Sequence, residues 1–271
     1  MADAYVHGYG EREAERLGDQ ADVLAELLHH DTIYPAGARV LEAGCGIGSQ
    51  TRFLAVNSPQ ARFTCLDISP ESLAQAQAAA AEQGLNNLEF RQGDLYRLPF
   101  AEASFDHVFI CFVLEHLVDP LAALAQLRRV LKPGGSLTVI EGDHGSCYFH
   151  PETPLARRAW QCLIDAQAGL GGDSLIGRRL YPLLRAAGFE DVTVSPRMVY
   201  SDHSRPRQEE GFVRRTIVPM VAGVREQALA AGWMRPAEWD QGIADLLATA
   251  GPEGSFCYTF FKAVTHRGAK A

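Results

Sequence analysis

Residues 40–48 read VLEAGCGIG, from Val40 to Gly48. A short apolar strand is predicted over Arg39–Ala43. It runs straight into Gly44, Gly46 and Gly48, and a helix is predicted from Ser49 to Val56. Glycines at a strand-to-helix turn let the backbone bend sharply and approach a ligand closely. A dinucleotide fold spaces them G-x-G-x-x-G, with pyrophosphate at the helix N-terminus. Here the spacing is G-x-G-x-G, and Glu42 stands two residues before Gly44. A carboxylate at the strand tip would repel pyrophosphate and suits a ligand that carries an ammonium group.

Strand–helix alternation continues on both sides of this turn. Leu17, Ala21, Leu24 and Leu28 recur at helical spacing within 11–30, and Pro35 and Gly37 break the chain after them. A second strand, Arg62–Leu66, ends at Asp67. Ser69 then reads as an N-cap and Pro70 as the first residue of an Ala/Gln-rich helix that stops at Gly84. A third strand, Leu88–Gln92, leads to Gly93 and Asp94. A fourth, His107–Phe112, is continuously apolar, as a strand buried on both faces should be. Asp119-Pro120 opens the next helix, Pro133-Gly134-Gly135 ends it, and Ser136–Glu141 is a fifth strand. The alternation predicts a parallel, doubly wound α/β sheet with right-handed crossovers. Beyond it, 145–177 is mixed and partly helical, Leu180–Ala187 a helix, Phe189–Val199 a strand, 205–250 helical, and Phe256–Val264 a last aromatic strand.

Asp67 and Asp94, like Glu42, close predicted strands, the edge where doubly wound folds place ligands. An acid at the tip of the second strand can bond ribose hydroxyls, and one after the third can accept from an adenine amine. Each alone also reads as a turn or N-cap residue.

In these segments the chain resembles the class I S-adenosylmethionine (SAM)-dependent methyltransferases. It is close to the ubiquinone/menaquinone-biosynthesis C-methyltransferase type and its natural-product relatives. The resemblance rests on VLEAGCGIGSQT (40–51), LDIS (66–69), GDLYRLPF (93–100), SFDHVFICFVLEHL (104–117) and RRVLKPGGSLTVIE (128–141), in family order and spacing. It implies a Rossmann-like seven-stranded sheet, mostly parallel with a reversed last hairpin from Phe189–Val199 and Phe256–Val264, plus a helical cap. By position, Glu42, Gly44, Cys45, Gly46 and Gly48 would line the methionine end of the cofactor. Asp67 would hold the ribose, Ile68 would pack on the adenine, and Asp94 and Leu95 would meet its edge. Cys111 and Phe112 would flank the sulfonium. Tyr9 and Tyr5 fit an N-terminal aromatic lid, Tyr9 counted with the cofactor and Tyr5 with the substrate, where an electron-rich ring would favour a cation. The expected organisation is a lid over 1–38, the SAM-binding core over 39–144, a cap insertion over 145–177, a core helix and strand over 178–200, a helical cap over 201–253, and the last strand and tail over 254–271.

The reaction so implied is in-line transfer of a methyl group to a small-molecule acceptor, with the cofactor supplying the electrophile. The protein aligns the nucleophile and, where needed, takes a proton. His144, in Glu141-Gly142-Asp143-His144, is the leading candidate base, with a carboxylate beside it to orient it. A loop histidine with structural hydrogen bonds is the alternative. His116, in Leu114-Glu115-His116, matches a frequent family position and is the second candidate. Tyr148, Phe149, Tyr181 and Tyr200 are the candidate substrate contacts. Trp160, His203, Phe212, Trp233 and Trp239 add to an aromatic content that reads mainly as cap core. Such a cap favours an apolar or aromatic acceptor, with an indolic natural product as one guess. The long 201–253 insertion sets the chain apart from the shorter quinone-type pattern. Two other classes stay open: a non-catalytic SAM-binding scaffold, and an NAD-dependent oxidoreductase, which would lack a complete G-x-G-x-x-G.

The chain has 271 residues, 47% of them hydrophobic and 21% charged, enough for one large core plus a subdomain. A formal net charge of −8, with only short basic clusters, argues against nucleic acid as a partner. The six cysteines form no CxxC pair and no zinc spacing, so no metal is expected. The polar start MADAYVHGYGERE has no apolar signal-peptide segment, and no apolar run is long enough to span a membrane. The expectation is a cytoplasmic enzyme with a small-molecule substrate, with a homodimer left open.

Overall fold

The apolar runs become the strands of a largely parallel sheet. The strands are β1 (Arg39–Ala43), β2 (Arg62–Asp67), β3 (Leu88–Gln92), β4 (Phe105–Cys111), β5 (Leu131–Gly142), β6 (Tyr148–His150), β7 (Glu190–Asp202) and β8 (Ser255–His266). Their order is β3-β2-β1-β4-β5-β8-β6, with β7 also paired to β8. The pairs β1–β2, β1–β4, β2–β3 and β4–β5 are parallel, and β6 runs antiparallel to β8. The order reverses between β1 and β4, and a ligand crevice opens outside the carboxyl ends of strands at such a reversal.

The structure, a computed structural model, describes residues 11–268, with only the backbone of 11–14. These residues form two compact units. The first holds the chain up to Leu24, Asp143–Leu175 and Met198–Phe260, and the second holds Ala25–Gly142, Ile176–Arg197 and the residues from Phe261 on. One border falls inside the first helix, α1 (Glu11–His29).

In the second unit, Leu41, Val108, Ile110, Leu127, Leu137 and Val139 are fully buried between the sheet and its helices. Full burial of each such side chain is worth about 1.5–3 kcal/mol. The helices are α2 (Thr51–Asn57), α3 (Pro70–Glu82), α4 (Pro120–Val130) and α6 (Leu180–Ala186). The side chain of Ser69 accepts from Ser72 N–H at 3.1 Å, and Asp119 from Ala122 N–H at 3.0 Å, each just before a proline. Such a cap is worth about 1 kcal/mol. The same Thr-Pro signal at Thr153-Pro154 was not read from the sequence, yet it opens α5 (Pro154–Gly169) in the first unit.

Pro133-Gly134-Gly135 does not end α4. That helix stops at Val130 and the strand begins at Leu131. Arg267 explains the difference: its guanidinium donates to the carbonyls of Arg128, Arg129 and Leu131, and its backbone exchanges hydrogen bonds with Gly134 and Gly135. The eighth strand, β6, was also not anticipated. Lys262, 3% exposed, holds the end of α1 by donating to Leu28 O, Thr32 Oγ1 and Asp31 Oδ1.

The first unit is built around aromatic rings. Phe256, Tyr258 and Phe260, at alternate positions of β8, surround Phe212, and Trp160 packs on the first two. Phe212 lies in a π-helical stretch, Glu209–Ile217, where Thr216 Oγ1 donates to Gly211 O at 2.8 Å. Among the described residues, no helix is long and apolar enough to cross a membrane. The six cysteines are free thiols.

Candidate active site

The glycine turn lies at the carboxyl end of β1, and each glycine is there for a different reason. All three have positive φ, at 77°, 53° and 82° for Gly44, Gly46 and Gly48. A Cβ on Gly44 would meet Val113 Cγ2 at 2.6 Å, and one on Gly48 would meet Ala76 Cβ at 3.1 Å. These two are small because protein packs on them. A Cβ on Gly46 would meet nothing within 4 Å. Gly46 therefore presents bare backbone to open space, as close approach of a ligand requires.

The three acids are brought to neighbouring strand ends, since β3, β2 and β1 are adjacent and parallel. They differ in character. Glu42 is 2% exposed, beside Cys65 in the β1–β2 register. Burial pushes its carboxyl up to about 7, with Asp67 adding to the rise and Thr51 and Cys65 tempering it. Its Oε2 is buried with no hydrogen-bond partner among the described residues. Asp67 is half-buried and organises the turn: Oδ2 accepts Gly46 N–H at 2.8 Å and Oδ1 accepts Ser69 N–H at 2.9 Å. Asp94 is exposed, and its Oδ1 accepts Tyr96 N–H at 2.8 Å. Ile68 is 49% exposed on the same edge, an open apolar face beside the ribose candidate, and Leu95 is half-buried.

Cys45 and Cys111 are buried. Burial, then nearby carboxylates, raises both thiols well above their usual range, so they stay protonated and are poor nucleophiles. Phe112, just past β4, has φ +57°, an uncommon conformation for a residue with a side chain. His116 lies in the single helical turn Leu114–His116, its Nε2 at 3.7 Å from Glu115 Oε1.

His144 belongs to the first unit and is 6% exposed. Its Nδ1 is 2.7 Å from Tyr258 Oη, and its carbonyl accepts Trp160 Nε1–H at 2.8 Å. Asp143 caps the short turn His144–Ser146 by accepting Gly145 N–H at 3.0 Å. Phe149 is a core residue, stacked on Phe256 with the Arg157 guanidinium 4.5 Å over its ring. Tyr148, Tyr181 and Tyr200 are exposed. Tyr5 and Tyr9 lie outside the described residues. Among the described residues, no group of three or more His, Cys, Asp or Glu is placed to hold a metal.

Sequence reasoning passed over Glu141, Val113 and Gln50. Glu141 carries the signal that singled out Glu42, an acid closing an apolar strand. Gln50 follows the glycine turn and meets His29 Nε2 at 2.6 Å, and burial lowers that histidine to about 4.

A sheet reversing beside a glycine turn, with acids at three adjacent strand tips, defines a Rossmann-like protein for an adenosyl ligand. A family profile described as a methyltransferase domain matches residues 41–139. An O-methyltransferase of Penicillium expansum, cnsE, is 31% identical over 206 residues, 72% of this chain and 68% of that protein. An uncharacterized 37.1 kDa protein in transposon TN4556 of Streptomyces fradiae is 35% identical over 232 residues, 84% of this chain. The chain spans 61% of that relative's length. Among solved structures, geranyl diphosphate methyltransferase in complex with SAM matches with TM-score 0.54 and 14% identity, over 92% of this chain and 85% of that one. The chain belongs to the class I SAM-dependent methyltransferases. SAM is the cofactor of that family, and the residues present fit it: open space at Gly46 and a buried Glu42 oxygen without a hydrogen-bond partner among the described residues.

Proposed function

We propose that the chain transfers the methyl group of SAM to a small apolar or aromatic acceptor, with indolic natural products as the first class to test. The observation that carries this reading is the pairing of Gly46, bare backbone facing open space, with the orphaned, buried Oε2 of Glu42. A carboxyl poised near neutrality accepts the ammonium of a methionine moiety by giving up its proton. Glu42, Gly44, Cys45, Gly46 and Gly48 hold that end, Asp67 the ribose, Ile68 the adenine face, and Asp94 and Leu95 its edge. Cys111 and Phe112 stand beside the reacting centre. When bound, the cofactor supplies an electrophilic methyl on a sulfonium.

His144 is the candidate base for acceptors that must lose a proton. Its contact with Tyr258 ties the tautomer of the ring to a hydroxyl rather than to water. The exposed rings of Tyr148 and Tyr200 in the first unit support an apolar or aromatic acceptor over a sugar or phosphate.

The test has two arms. SAM at about a hundred times its Kd should stabilise the protein by about 2.7 kcal/mol, raising the melting temperature by about 5 °C or more, whereas NAD should not. Incubation with methyl-labelled SAM and a panel of indoles, phenols, prenyl diphosphates and quinols should label an apolar or aromatic member. Stabilisation by NAD alone, or tight SAM binding with no labelled product, would overturn the proposal.

A further inference from the structure

A second acid closes an apolar strand. Glu141, next to last in β5, is 0% exposed. Its Oε1 accepts two backbone N–H groups, from Leu114 at 2.8 Å and Val113 at 3.1 Å. Its Oε2 is buried with no hydrogen-bond partner among the described residues. The two amides open the single helical turn Leu114–His116, where backbone donors have no helical acceptor of their own.

This turn begins under strain. Phe112 sits at φ +57°, a left-handed conformation uncommon for a residue with a side chain. Such a residue keeps its conformation only where its surroundings over-determine it. On one side Phe112 N–H donates to Ile140 O at 2.9 Å; on the other, the next two amides end on Glu141. β5 therefore grips the turn from both ends. The turn in turn touches the glycine loop, because Val113 Cγ2 stands 2.6 Å from where a Gly44 Cβ would lie. A continuous chain of contacts runs from the Glu141 carboxyl through the backbone of Val113 and Leu114 and the Val113 side chain to Gly44.

We propose that Glu141 is a positioning residue for the cofactor site: it pins the Phe112–Leu114 turn and, through Val113, seats the glycine turn, without itself touching cofactor or acceptor. The proposal rests on the SAM-binding reading above. Full burial, and then the neighbouring Glu115, hold the carboxyl well above the usual range, against the pull of the backbone amides. The clamp works through Oε1, an acceptor in either protonation state. Glutamine keeps that acceptor in the same place, and alanine removes it.

The experiment compares wild type, Glu141→Gln, Glu141→Ala and Val113→Ala. It uses calorimetric titration with SAM and with S-adenosylhomocysteine, and hydrogen exchange at the amides of residues 113 and 114. Glu141→Gln should stay within about threefold of wild type in both affinities. Glu141→Ala should lose about tenfold or more for SAM, with exchange at 113 and 114 accelerated by at least as much, since two buried donors lose their acceptor. Val113→Ala should weaken SAM binding severalfold while Leu114 stays protected, and it reads the coupling even if Glu141→Ala fails to fold. A folded Glu141→Ala, or a Val113→Ala, that binds SAM like wild type would overturn the proposal. So would a Glu141→Gln as impaired as the alanine variant. Wild type that binds no SAM would instead overturn the preceding reading. The clamp itself would then stand or fall on the exchange result, and equal protection in wild type and Glu141→Ala would end it.

Discussion

The two units place their polar side chains differently. In the second, strand-end acids turn to the amides of loops: Asp67 to Gly46 and Ser69, Glu141 to Val113 and Leu114. Two of its carboxyl oxygens, Glu42 Oε2 and Glu141 Oε2, are left without partners among the described residues. In the first unit, polar tips close on one another: His144 on Tyr258 and Trp160 on the His144 carbonyl inside an aromatic cluster, and the half-buried Thr153 on Asp245. A buried polar atom without a partner costs about 1–3 kcal/mol. Glu42 Oε2 carries that cost near the glycine turn, and Glu141 Oε2 near the turn after β4. The His144–Tyr258–Trp160 cluster, whose polar tips bond one another, holds its own shape.

Gly46→Val should break this contrast most severely. A Cβ at Gly46 meets no protein atom within 4 Å, so the valine costs the fold mainly the backbone strain of φ +53°, about 1–3 kcal/mol, but it fills the ligand's approach. SAM affinity should drop by more than about a hundredfold, as read by calorimetry, while the melting curve moves by a few degrees. Wild-type affinity in this variant would take the ligand away from the turn.

A smaller effect should follow pH. The Glu42 carboxyl is raised from 4.5 to about 7, so a cation should bind better as it ionises. Affinity for SAM should tighten by about tenfold from pH 6 to pH 8, and Glu42→Gln should flatten the profile. Stability runs the other way. The folded state keeps a proton that the unfolded chain loses, so this carboxyl's contribution is full below pH 4.5 and is lost as pH rises through about 7. The loss amounts to about 3 kcal/mol, and wild type should melt progressively lower than Glu42→Gln across that window. Parallel pH profiles for the two proteins would remove Glu42 from the site.

The mildest change at the cofactor should come from Tyr258→Phe. It strips a hydroxyl from His144 Nδ1 and should destabilise the protein by about 1–2 kcal/mol, with SAM affinity within twofold of wild type. A tenfold loss of SAM affinity would show that the two units do not divide their polar roles as described.

The cofactor half was legible because its signals are local. An apolar run, an acid, alternate glycines and a serine–proline cap are neighbours in the chain, and each acts on the residues beside it. Arg39–Ala43 and Leu88–Gln92 appear at the positions read from the sequence. Where a distant residue intervened, the reading slipped. Pro133-Gly134-Gly135 reads locally as a helix end, but Arg267 draws it into a strand. β6 has three residues and exists through its pairing with Ser255–Cys257.

The chain alone determined the parallel core of the sheet and the glycine turn, because strand length, helix periodicity and glycine freedom are properties of short segments, and the resemblance of those segments pointed to the family. Tertiary structure decided the standing of each polar side chain: Glu42 buried and Asp94 exposed, His144 joined to Tyr258, Glu141 holding the turn after β4. Burial and hydrogen-bond partners come from residues far apart in the chain, up to 114 positions for His144 and Tyr258, and no local pattern encodes a meeting at that range.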